Sequence, residues 1–80
     1  MTPQQIDDYK RTWLPHSIYR VELHIDLRRN GVQFCKDNFL KTAWHEVRWS
    51  QPYYHYYYFE YEEHALEFAK AFPDHTIVGF

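Results

Sequence analysis

The chain has 80 residues, of which 45% are hydrophobic and 21% aromatic, and its formal net charge is −2. A chain of this length has room for one hydrophobic core, so we expect a single domain over residues 1–80 that fills its core with large aromatic rings. The nearly balanced charge argues against a general polyanion binder and against an acidic mimic of DNA.

Cysteine usage and hydropathy favour a cytoplasmic protein. Cys35 is the only cysteine, so an intramolecular disulfide is impossible and a reducing compartment is expected. No segment approaches the roughly 18 consecutive apolar residues of a membrane span, and the first residues lack the basic start and apolar run of a signal peptide. We therefore expect a cytoplasmic location and no membrane partner.

Charge is distributed unevenly along the chain. Residues 1–50 contain eight Lys and Arg against six Asp and Glu, whereas residues 51–80 contain one Lys against five Asp and Glu. The second part therefore carries a net charge of −4, and we expect it to present an acidic rim.

The first predicted element is a leading helix within residues 1–14. Thr2 suits the N-cap, Pro3 the first helical position and Gln5 the third, so each residue has a defined part in starting the helix. The apolar residues that follow recur at helical spacing before Pro15 ends the pattern: Ile6, Tyr9 and Trp13.

Residues 18–27 predict the first strand of the core, because apolar and polar side chains alternate through the segment. The odd-numbered residues from 19 to 27 are all apolar and are expected to face the core. The opposite side carries polar and charged residues: Arg20, Glu22, His24 and Asp26.

A second helix is expected after this strand, with Asn30 and Gly31 at its N-terminus. Its apolar side steps by three and four residues: Val32, Cys35, Phe39 and Ala43. A lone cysteine on such a stripe behaves as a small hydrophobic residue, so we expect Cys35 to be buried and unreactive.

The next two strands form a predicted hairpin. Residues 44–49 suit a strand with Val47 and Trp49 on one face. Residues 50–52 have the composition of a turn, and residues 53–61 form the second, strongly aromatic strand.

A helix over residues 62–72 and a short strand over residues 75–80 complete the predicted order. Two glutamates favour the N-terminus of this helix, and Pro73 stops it. Three aromatic residues from the last two long elements are expected in the core: Phe59, Phe68 and Phe72.

From residue 18 onward the predicted order is β, α, β, β, α, β, which is typical of the ferredoxin-like fold. We therefore expect an α+β domain with an antiparallel sheet and two helices on one face of it. The leading helix is an addition in front of the core of residues 18–80.

The strand over residues 53–61 has aromatic rings on both faces, although helices are expected to cover only one. If Phe59 faces the helices, the other face carries four residues: Tyr54, Tyr56, Tyr58 and Glu60. The three phenols would span roughly 13 to 14 Å. We expect them to anchor a partner, with Arg20, His24 and Glu60 setting its specificity. Alternatively, the leading helix or a second copy of the chain covers these rings.

The sequence contains no complete catalytic or metal-binding motif. Residues 45–49 begin like the zinc-protease helix signature, but Trp49 replaces the second histidine and the segment is predicted as a strand. The six histidines are dispersed, so a metal site would require their convergence in space. We expect no enzymatic activity, no catalytic residues, no metal and no cofactor.

Three features resemble those of small uncharacterised ferredoxin-like proteins from tailed bacteriophages. They are Phe34-Cys35-Lys36, Trp44 at the start of the next strand, and an aromatic strand that runs into the Ala- and Phe-containing segment 64–72. The similarity covers about residues 18–72. Many of those proteins have Trp-Cys where this chain has Phe-Cys, and this chain adds the leading helix. The resemblance implies the fold and a viral origin, and it brings no catalytic residues.

Two functions follow from these features. The first is a non-enzymatic protein-binding module, phage-encoded, that modulates or inhibits a host protein complex as anti-CRISPR proteins do. Its partner would be a host or viral protein, met in the host cytoplasm. The alternative is a single-stranded nucleic-acid-binding protein whose tyrosines stack on bases. It is less favoured, because the aromatic strand lacks the basic, glycine-containing RNA-recognition segment. A homodimer through the same rings is a further alternative.

Overall fold

The computed structural model describes the backbone of residues 1–51 and 53–80 and the side chains of residues 1–48 and 53–80. Within these residues the chain forms three α-helices and one four-stranded antiparallel sheet, the mixed architecture that the sequence predicts. None of the described helices combines the length and the apolarity needed to cross a bilayer. The elements in chain order are α1 (Pro3–Trp13), β1 (Tyr19–His24), α2 (Arg28–Asn38), β2 (Trp44–Gln51), β3 (Tyr54–Phe59), α3 (Glu62–Ala71) and β4 (Thr76–Val78).

The sheet has the strand order β2-β3-β1-β4, and each neighbouring pair is antiparallel. β1 and β3 are the central strands, with Val21 opposite Tyr57. The longer outer strand, β2, places Trp44 opposite Phe59. The central strands therefore contribute most to both faces of the sheet.

The helices α2 and α3 pack on one face of the sheet and form the core with it. The buried cluster comprises Val21, Leu23, Cys35, Phe39, Tyr57, Phe59, Ala65 and Phe68. Phe59 and Phe68 are confirmed as core residues, with ring centroids 5.3 Å apart. Phe72 is partly buried against the cluster, and Cys35 is confirmed as fully buried.

The leading helix is confirmed as α1, with the predicted cap. The Thr2 hydroxyl accepts a hydrogen bond from the Gln5 backbone N–H, and the Gln5 side chain accepts one from the Thr2 backbone N–H. At the other end, Trp13 Nε1 donates to the Thr42 carbonyl at 2.8 Å. The helix therefore packs on the segment that precedes β2 rather than across the sheet.

The first strand ends at His24, before the predicted end at residue 27. Ile25–Leu27 forms a 3₁₀ turn, because the His24 side chain accepts a hydrogen bond from the Asp26 backbone N–H at 3.2 Å and so caps the turn. The prediction that Ile25 faces the core is wrong, since Ile25 is 36% exposed.

The predicted start of the second helix at Asn30 and Gly31 is also wrong. The 3₁₀ turn leads directly into α2 at Arg28, so no separate cap is needed. Gly31 lies inside the helix, where an added Cβ would overlap the Leu23 side chain and lie 3.3 Å from the Phe68 ring. Glycine here allows the helix to approach the sheet.

Other boundaries also differ from the predicted ones. β3 covers Tyr54–Phe59 rather than residues 53–61. Ala43 belongs to the short 3₁₀ turn Lys41–Ala43 rather than to α2. β4 covers only the central part of residues 75–80. β2 continues through Gln51 into the predicted turn, whose last residue, Pro52, lies outside the described residues. The predicted face of the Trp49 side chain also lies outside them.

Candidate functional site

The face of the sheet opposite α2 and α3 brings together five of the six residues predicted to bind a partner. The pairing of β1 with β3 places Arg20 opposite Tyr58 and His24 opposite Tyr54. Between these pairs, Glu22 lies opposite Tyr56. We call this surface the open face and define it by Arg20, Glu22, His24, Tyr54, Tyr56 and Tyr58.

The polar groups of the open face contact its rings. The Arg20 guanidinium lies 4.5 Å from the centroid of the Tyr56 ring, a cation–π arrangement. His24 meets Tyr54 edge to face with centroids 5.4 Å apart, and Tyr56 meets Tyr58 in the same way at 6.3 Å. These contacts order the side chains of the open face relative to one another.

A glycine makes room for the Arg20 side chain. A Cβ on Gly79 would lie 2.9 Å from Arg20 Nε, so a larger residue would displace the guanidinium. The Gly79 backbone N–H also donates to the Arg20 carbonyl at 2.8 Å. A shallow groove runs beside this contact, between Ile18, Tyr58 and Phe80. This end of the open face is thus recessed.

Glu22 is the central residue of the open face, and the sequence patterns did not single it out. It is only 8% exposed, between Tyr56 of β3 and Ile77 of β4. Among the described side chains it has no hydrogen-bond or ion-pair partner. The Glu22 oxygens still reach solvent, so the carboxylate is accessible at the open face. The alternation of β1 places Glu22 on the polar side, but its burial depends on neighbouring strands.

Glu60, the sixth predicted residue, is separate from the open face. It follows β3, and its Oε2 accepts a hydrogen bond from the Tyr9 hydroxyl of α1 at 2.8 Å. This hydrogen bond, together with burial, raises the pKa of Tyr9 to about 12. Glu60 therefore serves to hold α1 in place.

A second group of polar side chains lies on the helix-covered face around Glu46 of β2, and the alternation of residues 44–49 does not reveal it. The Tyr57 hydroxyl donates to Glu46 at 2.9 Å, and Arg28 Nε lies 3.1 Å from the same carboxylate. Arg48 Nε and His55 Nδ1 lie 3.4 and 3.7 Å from it. We call these five residues the Glu46 cluster. Its partners come from three elements, so only the folded chain brings them together.

The Glu46 cluster has the properties of a structural network. Only 9% of the Glu46 side chain is exposed, and its charge is balanced by neighbouring cations. Burial, reinforced by the Glu46 charge, raises the pKa of the Tyr57 hydroxyl well above its ordinary value, so this hydroxyl remains a donor at neutral pH. The cluster therefore connects α2 to the neighbouring strands β2 and β3.

The described residues offer little for nucleophilic or metal chemistry. Burial raises the pKa of the Cys35 thiol far above its ordinary value, which suppresses the reactive thiolate. In the part of the chain with described side chains, no three His, Cys, Asp or Glu residues are arranged to hold a metal ion. The open face is therefore the candidate site.

No protein-family model matches the chain, and no curated protein or solved structure matches it significantly. The resemblance to phage proteins therefore stays a prediction. The geometry of the open face is therefore the basis for a functional proposal.

Proposed function

We propose that this protein is a non-enzymatic protein-binding module that docks through the open face. The observation that carries the proposal is the ordered group of three phenols on β3 beside Arg20 and His24 on β1. Tyrosine combines a large apolar area with a hydrogen-bonding tip, and Tyr and Arg are enriched among the residues that dominate protein interfaces. The helices α2 and α3 pack on the other face of the sheet.

Single-stranded nucleic acid is the weaker candidate for the same surface. Bases stack well on tyrosine rings, but the Glu22 carboxylate at the centre of the face repels phosphate. The net charge of −2 also provides no general attraction for a polyanion. Binding that weakens steeply with added salt would favour nucleic acid, whereas docking on apolar rings should be much less sensitive to salt.

For the fold, we propose the ferredoxin-like arrangement. The supporting observation is that β1-α2-β2 and β3-α3-β4 are two βαβ units, each with one strand of the other unit between its own two strands. The order read from the opposite edge is β4-β1-β3-β2. Interleaved units of this kind are what the split βαβ arrangement requires.

The proposal extends to a phage-encoded protein that inhibits or modulates a host complex in the host cytoplasm. It is supported by the small size of the chain and by the resemblance over about residues 18–72. The lone Cys35 is in keeping with a reducing compartment.

Replacing Tyr54, Tyr56 and Tyr58 together with serine tests the proposed binding surface. Pull-downs from nuclease-treated host lysate should yield a protein that the wild type captures and the triple variant loses. The matched control carries Tyr53→Ser and Tyr61→Ser, because these two rings are 65% and 46% exposed and lie outside the open face. The control should retain the partner. A protein captured equally by the wild type and the triple variant would contradict the proposal.

Sedimentation of the wild type and the triple variant separates docking from self-association. We expect two folded monomers, because the three rings lie outside the helix-packed core. A wild-type dimer that becomes a stable monomer on substitution would assign the open face to assembly instead. An unfolded triple variant would mean that the rings are part of the structural core.

A further inference from the structure

We infer that the open face takes up a cationic side chain, an arginine or lysine of the partner protein, and that Glu22 is the group that receives it. The inference rests on the proposed function and specifies the chemistry of the partner. It makes Glu22 the specificity-determining residue of the surface, with the tyrosines as the walls around it.

The first observation is the state of the Glu22 carboxylate. The residue as a whole is only 8% exposed at the centre of the open face, and no described side chain pairs with its carboxylate. The Glu22 oxygens still reach solvent at the open face, so the carboxylate is accessible to a group from outside the chain. A cation supplied by a partner would give Glu22 the ion pair that its own chain does not provide.

The second observation is the position of Arg20, the cationic residue of the open face that is nearest to Glu22 in the sequence. Arg20, two residues before Glu22, lies over the Tyr56 ring and against Gly79 rather than in an ion pair with Glu22. At the other end of the face, Asp26 lies 3.5 Å from His24 and adds negative charge. None of the described cationic side chains therefore lies within ion-pair distance of the Glu22 carboxylate.

The third observation is that the walls of the site suit a cation. Aromatic ring faces attract guanidinium and ammonium groups, and Arg20 already adopts this geometry on the open face. Tyr54 and Tyr58 lie diagonally on either side of the Glu22 position along β3. A cation that pairs with Glu22 would therefore also meet aromatic surface, whereas a phosphate would meet a carboxylate.

Titration followed by two-dimensional NMR tests this inference. The probe is a short Gly/Ser peptide that carries one arginine, and the same peptide with neutral citrulline is its control. We expect saturable shifts of the β1 and β3 backbone amides with the arginine peptide. Both the citrulline peptide and the Glu22→Gln variant should weaken binding by about tenfold or more, because each removes the charge from one side of the pair.

The variant Glu62→Gln is the matched control, since Glu62 is an exposed residue of α3 on the other side of the sheet. It should bind the arginine peptide as the wild type does. Thermal unfolding of Glu22→Gln should remain cooperative, with a midpoint at least as high as that of the wild type, because Glu22 makes no hydrogen bond or ion pair with the described side chains that the substitution would remove. A loss of binding accompanied by a lower midpoint would point to a structural role and overturn the inference.

Three other results would also overturn it: equal binding by the wild type and Glu22→Gln, no saturable binding of the arginine peptide, or tighter binding of a ten-residue oligothymidine to the same amides. The proposed function is tested separately. A natural partner that binds Glu22→Gln normally but does not bind the triple serine variant would contradict the inference about Glu22. It would still support the open face as the docking surface.

Discussion

At the scale of single residues, two glutamates of the sheet have opposite environments. Glu46 has a hydroxyl, two guanidinium groups and an imidazole within 3.7 Å, whereas Glu22 has no partner among the described side chains. Both lie in alternating strand segments, and the alternation does not distinguish them. Their difference comes from Arg28, Tyr57 and other residues that only the fold brings near. This is why neither environment could be predicted from the sequence.

The Glu46 cluster predicts a loss of stability when its carboxylate is neutralised. Glu46→Gln should lower the free energy of unfolding by about 2 kcal/mol. Removing one partner of a fully buried ion pair costs more, about 3 to 5 kcal/mol. The reduction reflects the 33% and 68% exposure of the Arg28 and Arg48 side chains. Urea denaturation measures the change, with the exposed residue Glu62 changed to Gln as the control. Equal effects of the two substitutions would show that the cluster does not stabilise the fold.

Burial predicts that Cys35 is chemically unreactive in the native protein. Its residue is fully buried, and burial raises the pKa of the thiol, so little thiolate is available at neutral pH. Reaction with a coloured thiol reagent should therefore be much slower in the native protein than in denaturant. Equally fast labelling in both conditions would contradict the packing of α2.

At the scale of elements, the sequence predicted those parts whose signals are local. Thr2, Pro3 and Gln5 identify the start of α1, and the alternation of β3 correctly puts Phe59 inside. The predicted element boundaries are wrong where a single residue makes a specific contact that the hydrophobic periodicity does not indicate. His24 caps a 3₁₀ turn and ends β1 early, and Gly31 serves helix packing rather than helix initiation. Such effects depend on contacts that periodicity does not encode.

The packing of α3 predicts a large effect for its central ring. Phe68 is fully buried between the sheet and α2, so Phe68→Ala should lower the free energy of unfolding by about 3 to 5 kcal/mol. Leu66→Ala is the control on the same helix, because Leu66 is 47% exposed and should lose less than about 1 kcal/mol. Denaturation midpoints measure both changes. An unchanged midpoint for Phe68→Ala would mean that the helix register is wrong.

The proximity of Lys10 in α1 to His45 in β2 predicts a dependence of stability on pH. Burial and the nearby Lys10 charge lower the pKa of His45 below its ordinary value, against weaker opposing effects of Asp7 and Glu46. The folded state therefore binds this proton less readily than the unfolded state. The folding stability associated with neutral His45 is fully present above about pH 6.5, the pKa of an unperturbed histidine. It is lost as the pH falls below that value, because the unfolded state then takes up the proton more readily.

The variant His45→Gln isolates this effect. Between pH 7 and pH 5, its free energy of unfolding should fall less than that of the wild type, as measured by urea denaturation at each pH. Parallel curves for the two proteins would show that His45 does not contribute to the pH dependence.

At the scale of the whole molecule, the two faces of one sheet divide the aromatic residues between stability and binding. Phe59 and Tyr57 point to the helices and form part of the core, while the alternate residues Tyr54, Tyr56 and Tyr58 of β3 form the open face. The sequence could predict this division because it depends only on strand alternation. It could not predict that Glu60 would be bound by α1, or that Glu22 would lie at the centre of the site, since both depend on elements distant in the chain.

The central claim is that the open face is the binding surface of this protein, and the affinity of the purified partner tests it most directly. Calorimetry should show that serine at Tyr54, Tyr56 and Tyr58 weakens binding by about a thousandfold, because two central rings worth about 2 kcal/mol each account for that loss. The Tyr53 and Tyr61 double variant should bind with wild-type affinity. A triple variant that unfolds as cooperatively as the wild type and binds the partner equally tightly would contradict the claim.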